Sequence, residues 1–298
     1  MPRAAANGTE IEYEEHGDGG LPVVLLVSGL GSQLIGWEDA FVRELTGRHY
    51  RVVRFDNRDV GLSSWFDEAG VPVGAAEPPY TLGDMADDAV GLLDALGVES
   101  AHIVGASMGG MIAQALALAH PGRALSLTCI YSSPSVEAAR PGLDILGGAY
   151  LAPASAPGGT GTEATGAAAP SREEVIEAVV ARGLALSSPV YPPGREVLYE
   201  RAAAAYDRAF HPAGAARQVL AVAAQEDRTA ALRQLRLPTL VVHGDADPMV
   251  DPAGGRAIAE AVPGAELVMV PGMGHDIPRQ LYPMLAGRIA DNCGRAAL

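Results

Sequence analysis

Short apolar, β-branched runs recur along the chain and alternate with stretches whose apolar positions repeat every three to four residues. The runs Val23–Val27, Arg51–Phe55, 101–105, 125–131, 239–243 and Glu266–Val270 have strand length, and their apolar character predicts strands buried on both faces. A more polar, alternating run at 9–15 predicts one arm of a hairpin near an exposed edge. Between these runs, 81–96 sets Leu82, Met85, Val90, Leu93 and Leu96 at helical spacing and stops at Gly97. Met108–Ala119 is apolar nearly all round and ends before Pro121, as a buried helix would. Pro252–Ala261 follows Asp251, a residue type that caps helix N-termini. Strands and helices alternating in this way build an α/β fold, a mostly parallel sheet flanked by helices.

The alternation breaks after the strand at 125–131. Residues 149–170 are dominated by Ala, Gly, Pro, Ser and Thr and predict a mobile loop. Helical patterns follow at Arg172–Leu186, 193–204 and 213–230, before the sheet resumes at Thr239. A helical block inserted at that point predicts a cap over the carboxyl end of the sheet, where open α/β sheets bind their ligands. The expected organisation is a core of residues 1–132 and 236–298, interrupted by a helical cap (lid) at 133–235. No internal repeat is visible.

Composition acts mainly by exclusion. A chain of 298 residues with 48% apolar and 19% charged residues is ordinary for a soluble globular protein. A net charge of −15 repels phosphate backbones and anionic lipid, so neither nucleic acid nor a membrane is an expected partner. There is no lysine, which excludes Schiff-base chemistry and a Walker-type phosphate lysine. Cys129 and Cys293 lack metal-ligand spacing and imply no disulfide framework; no metal and no cofactor is expected. Residues 1–16 carry no apolar core or cleavage pattern, and the apolar runs are too short to span a bilayer. A cytoplasmic protein is expected, with its oligomeric state open. An aromatic content of 5% suggests an aliphatic pocket.

The strongest chemical signal is Gly105-Ala106-Ser107-Met108-Gly109, lying between a predicted strand and a predicted helix. A sharp strand-to-helix turn strains the serine backbone, and the flanking glycines keep side chains clear of it. The serine is thereby presented at a helix N-terminus, which favours negative charge. A serine hydroxyl needs a base. Of seven histidines, His275 in Pro271-Gly272-Met273-Gly274-His275 follows the last strand at the same sheet edge, and His243 is the second candidate. The base needs a carboxylate to set its tautomer. The loop after 239–243 offers Asp247, favoured because the chain can turn inward before Pro248, with Asp245 as alternative and Asp251 as a helix cap. Two convergent N–H donors for an oxyanion are expected from Met108 and from Leu30, the latter in the glycine turn Ser28-Gly29-Leu30-Gly31. The charged stretch from Arg54 to Ser63 reads as a structural turn held by internal Asp–Arg pairs, with substrate recognition as the other reading.

Together the glycine turn, the Asp-x-Arg-x-x-Gly-x-Ser stretch at 56–63, the nucleophile turn, the acid loop and the terminal Gly-x-Gly-His resemble the α/β-hydrolase superfamily over 9–131 and 236–292. Ile35-Gly36-Trp37, Arg54-Phe55-Asp56-Asn57-Arg58-Asp59, Leu237-Pro238-Thr239-Leu240-Val241-Val242 and Val270-Pro271-Gly272-Met273-Gly274-His275 are similar to the aclacinomycin methylesterase branch, which cleaves methyl esters of anthracycline polyketides. The resemblance implies a sheet of about eight strands with a cap, and a serine esterase acting on a small-molecule ester or lactone. Cofactor-free perhydrolases share the same constellation, and so do non-catalytic ligand-binding homologues. Relatives with an aspartate nucleophile are disfavoured by Ser107.

Overall fold

The computed structural model describes residues 2–67, 78–150 and 170–296, with the main chain alone over 146–150. Its strands are β1 (Arg3–Ala6), β2 (Thr9–His16), β3 (Val23–Val27), β4 (Arg51–Phe55), β5 (Ala101–Ala106), β6 (Ala124–Ile130), β7 (Thr239–Gly244) and β8 (Glu266–Val270). They form one eight-stranded sheet in the order β1-β2-β4-β3-β5-β6-β7-β8. The hairpin β1–β2 joins β4 antiparallel, and every later pairing is parallel. The order reverses between β3 and β5, which places the loops after these strands beside one another at the carboxyl edge.

Alternation along each strand feeds two core layers. Val23, Leu25 and Val27 face one side, with Ile103, Cys129 and Val241, against α2 (Leu82–Ala95), α3 (Met108–Ala119) and α9 (Pro252–Ala261). Val24 and Leu26 face the other, with Val104, Ile130 and Val242, against α1 (Asp39–Thr46) and α10 (Tyr282–Gly294). Period-two alternation of fully apolar strands is what a two-sided core requires. The expected sheet with flanking helices is therefore what the chain forms. β8 departs from the expectation of burial on both faces: Glu266 to Met269 are only half-buried, and among the described residues β8 is the edge strand of the sheet. Thr81 caps α2 through a reciprocal capping box with Asp84, and the Asp251 side chain caps α9 by accepting from Ala253 N–H.

Between β6 and β7 lie α4 (Val136–Tyr150), α5 (Arg172–Leu186), α6 (Arg195–Arg208), α7 (Pro212–Ala223) and the single turn α8 (Thr229–Leu232). The sequence pattern marks three of these. α4 escapes it because Pro141 lies inside the helix and glycines dilute the apolar repeat. α1 escapes it as well, having only eight residues. The pattern at 213–230 ends early: the Asp227 carboxylate accepts from Thr229 N–H, and Arg228 N–H donates to Pro134 O, so the chain turns instead of continuing as helix. The loop expected over 149–170 falls, for 151–169, outside the described residues, and α4 runs to Tyr150. α5 and α6 pack through Ile176, Val180 and Ala202, a small cluster separate from both core layers. Ala221 and Val222 of α7 join the layer under α2 and α3, so this helix ties the insertion to the core. Among the described residues, no helix is long and apolar enough to cross a membrane.

Candidate active site

Ser107 joins β5 to α3 at φ 56° and ψ −122°, a backbone geometry that side chains rarely tolerate. The turn is held by Ser107 N–H donating to Ile130 O and by the Ser132 hydroxyl donating to Ser107 O. Its glycines are required by contact. A Cβ on Gly105 would stand 2.1 Å from Gly109 O, and one on Gly109 would stand 2.1 Å from Val27 O. Strand and helix can cross this closely only without those side chains.

The loop after β8 brings His275 to the same edge. Ser107 Oγ–H donates to His275 Nε2 at 2.9 Å, and His275 Nδ1–H donates to Asp247 Oδ2 at 2.8 Å. Asp247 lies in the loop after β7, with its Oδ1 accepting from the Met249 and Val250 amides at 2.8 and 3.0 Å. His243 Nε2 lies 3.3 Å from Asp247 Oδ2 and 3.0 Å from Val250 O. Burial alone would push the Asp247 carboxyl up, but the bonds from His243, His275 and the Val250 amide outweigh it and hold the group well below the usual carboxylate range. The other candidates have different tasks. Asp245 is exposed and accepts from Gly272 N–H at 2.6 Å, shaping the turn before His275. Asp251 is the α9 cap, and His243 reaches Asp247 rather than Ser107. The ring of Tyr131, a residue with left-handed φ of 38° at the end of β6, lies 4.5 Å from the His275 ring. No sequence motif marks it.

The turn Ser28-Gly29-Leu30-Gly31 passes directly over Ser107: a Cβ on Gly29 would stand 3.3 Å from Ser107 Cβ. Met108 N–H, at the first position of α3, and Leu30 N–H donate to no other group among the described residues. Gly31, at φ 66°, donates its N–H to Gln218 Oε1 of α7 at 2.8 Å.

The charged stretch from Arg54 to Ser63 pairs outward, not internally as expected. Arg54 meets Glu14 and Asp39, Arg58 meets Asp88 of α2, Asp56 meets Arg208 of α6, and Asp59 meets Arg217 of α7. Two of its carboxylates thus anchor the insertion to the sheet. Burial again opposes the charge of Asp59, but Arg217 and His211 override it and keep that carboxyl depressed.

A cavity of about 190 Å³ lies above the α1/α10 layer, lined at the nucleophile turn by Ala106, which precedes Ser107, and by Gly29; Ser107 itself is not in its wall. Trp37, Phe41, Tyr131 and Tyr282 contribute aromatic wall, and Glu38, Arg201 and Asp276 contribute charge. This corrects the aliphatic pocket: aromatic residues are scarce in the chain, yet several converge here. Arg201 of α6 pairs with Glu38, so the insertion supplies part of the wall. Burial pushes the Asp276 carboxyl up, against the bond it accepts from Ser188 N–H.

The sequence profile of the alpha/beta hydrolase fold matches residues 22–278. The chain is 29% identical over 304 residues to rhodomycin D methylesterase DnrP of Streptomyces peucetius, covering 97% of each. It is 29% identical over 288 residues to rhodomycin D methylesterase DauP of Streptomyces sp. strain C5, covering 89% of each. Among solved structures it is similar to the enol-lactonase of Burkholderia xenovorans LB400, at TM-score 0.74 and 25% identity, over 98% of this chain and 100% of that one.

Proposed function

The chain belongs to the alpha/beta hydrolase fold family, and from that premise we propose that it is a serine esterase cleaving a methyl ester or lactone of a small or polyketide-type molecule through an acyl-enzyme. The observation that carries this reading is the unbroken line of hydrogen bonds from Asp247 through His275 to Ser107. In it Ser107 Oγ attacks the ester carbonyl carbon while its proton passes to His275 Nε2. Asp247, kept anionic, holds Nδ1–H and stabilises the imidazolium that forms. The carbonyl oxygen becomes an oxyanion received by the Leu30 and Met108 amides. Collapse expels the alcohol, which takes its proton from His275, or opens the ring of a lactone. Water, deprotonated by His275, then attacks the acyl-enzyme; the acid leaves and Ser107 regains its proton.

The methylesterase relatives support the ester and its small leaving group, and the lactonase of similar fold supports the lactone. Aromatic walls with polar groups between them suit a flat, oxygenated acyl group. In this reading residues 133–235 form the cap that covers it. The test is turnover of p-nitrophenyl esters, simple methyl esters, lactones and an aromatic polyketide methyl ester, with Ser107→Ala alongside. Turnover of esters that vanishes in Ser107→Ala, with ligand binding kept, is expected. Undiminished turnover in that variant would sink the mechanism.

A further inference from the structure

We propose that Gln218, a residue of the insertion and not of the core, is a positioning residue for the oxyanion hole. It holds the loop that carries the Leu30 amide, so the hole is complete only while α7 is docked. The inference rests on the esterase reading above and deepens it.

The loop after β3 has core anchors at its two ends: Asn57 Nδ2–H donates to Ser28 O at 2.9 Å, and Leu34 N–H donates to Asp56 Oδ1 at 2.7 Å. Between them its long-range bonds go to the insertion. Gly31 N–H donates to Gln218 Oε1 at 2.8 Å. The Gln33 amide donates to Ala205 O and Ala209 O at 2.7 and 2.8 Å, and Arg208 Nη1–H donates to Gln33 Oε1 at 2.9 Å. Gly31 follows Leu30 directly, so a bond that fixes the Leu30–Gly31 peptide plane limits how the Leu30 amide can turn.

The orientation of Gln218 is determined by its two partners. Its side chain is fully buried, and Nε2–H donates to Arg58 O at 2.9 Å. Exchanging its oxygen and nitrogen would set a donor against Gly31 N–H and an acceptor against Arg58 O. A buried amide in that state would lose both bonds. The preceding residue secures the helix itself: Arg217 Nε–H and Nη2–H donate to the two oxygens of Asp59, each at 2.7 Å. Asp59 is fully buried and Arg217 nearly so.

Oxyanion donors act only within a narrow range of the developing charge, and a displacement of about 1 Å can cost about 10²-fold in rate. Gln218→Met and Gln218→Asn remove the reach to Gly31 while keeping a side chain in place. Each is expected to lower kcat for a turned-over ester by about 10- to 100-fold with KM within about twofold. Inhibition by a trifluoromethyl ketone, whose adduct on Ser107 carries an oxyanion, should weaken by a similar factor. Binding of the product acid should not. Val262→Ala, buried after α9 at the amino end of β8 and so on the opposite edge of the sheet from the loop, serves as the control for lost stability. At a matched loss of Tm it should keep kcat.

The inference is overturned if either folded Gln218 variant keeps full kcat, if its ketone affinity is unchanged, or if Val262→Ala shows the same kcat loss. Full turnover in Ser107→Ala would instead overturn the esterase reading itself. Loss in Ser107→Ala beside full activity in the Gln218 variants would remove only this inference.

Discussion

Asp247 accepts three hydrogen bonds, two from backbone amides and one from the His275 imidazole, with His243 Nε2 lying 3.3 Å from its Oδ2, and each of these groups stabilises its anion. A carboxylate so surrounded stays charged through the working range and fixes the His275 tautomer. Asp247→Asn should therefore cost about 10⁴ in kcat, the scale of losing the correct tautomer in a comparable triad. Asp245→Asn should change kcat little, because the amide oxygen can still accept from Gly272 N–H. Ester kinetics of the two variants at neutral pH decide between them. At this scale the sequence was legible wherever chemistry constrains chain neighbours. Ser107 and His275 stand out by their glycines, which the close approaches require. Pro248 favours Asp247 over Asp245, and the cap position sets Asp251 apart, although the path that carries Asp247 to His275 is set by tertiary contacts. Tyr131, Glu38, Arg201 and Asp276 have no local signature at all, since only tertiary folding brings them to one cavity.

Among the elements, the crossing of β5 and α3 is one of the tight junctions at the site, with the approach of Gly244 to the loop of His275. Gly109→Ala would drive a methyl group to 2.1 Å from Val27 O, backbone that cannot swing away. The variant should lose about 3 kcal/mol or more of stability, read as a lower urea midpoint with unchanged slope, and its turnover should fall with it. Strands were readable because burial on two faces demands unbroken apolar runs. The core helices α2, α3 and α9 were readable because caps and stops bound them. The insertion was less so. α6 runs beyond the pattern at 193–204 as far as Arg208, which is partnered by Asp56 of the core, a contact no local pattern encodes. Tertiary partners also explain why the charges from Arg54 to Ser63 serve docking instead of closing a self-contained turn.

Over the whole molecule, acid should act first through a group far from the site. His102 of β5 is buried against Ser126, and burial pushes its pKa down from 6.5 to about 4. The folded protein keeps it neutral while the unfolded chain binds a proton below pH 6.5, so stability is undiminished above that pH. It should fall between pH 6.5 and about 4, by on the order of 3 kcal/mol from this residue. Asp59 and Asp247, both depressed, add a loss with the same sign below the ordinary carboxylate range. Melting curves across this interval should show a drop that His102→Gln flattens; an identical slope in that variant would refute the assignment. The docking of α7 has a consequence for modularity. Exchanging the segment between β6 and β7 for one from a related enzyme would appear to change only what the protein accepts. Here the loop over Ser107 would lose its outer support, so a chimera would inherit a new preference together with a slower reaction. A transplanted segment bearing glutamine and arginine where Gln218 and Arg217 stand should bring its preference without that slowing.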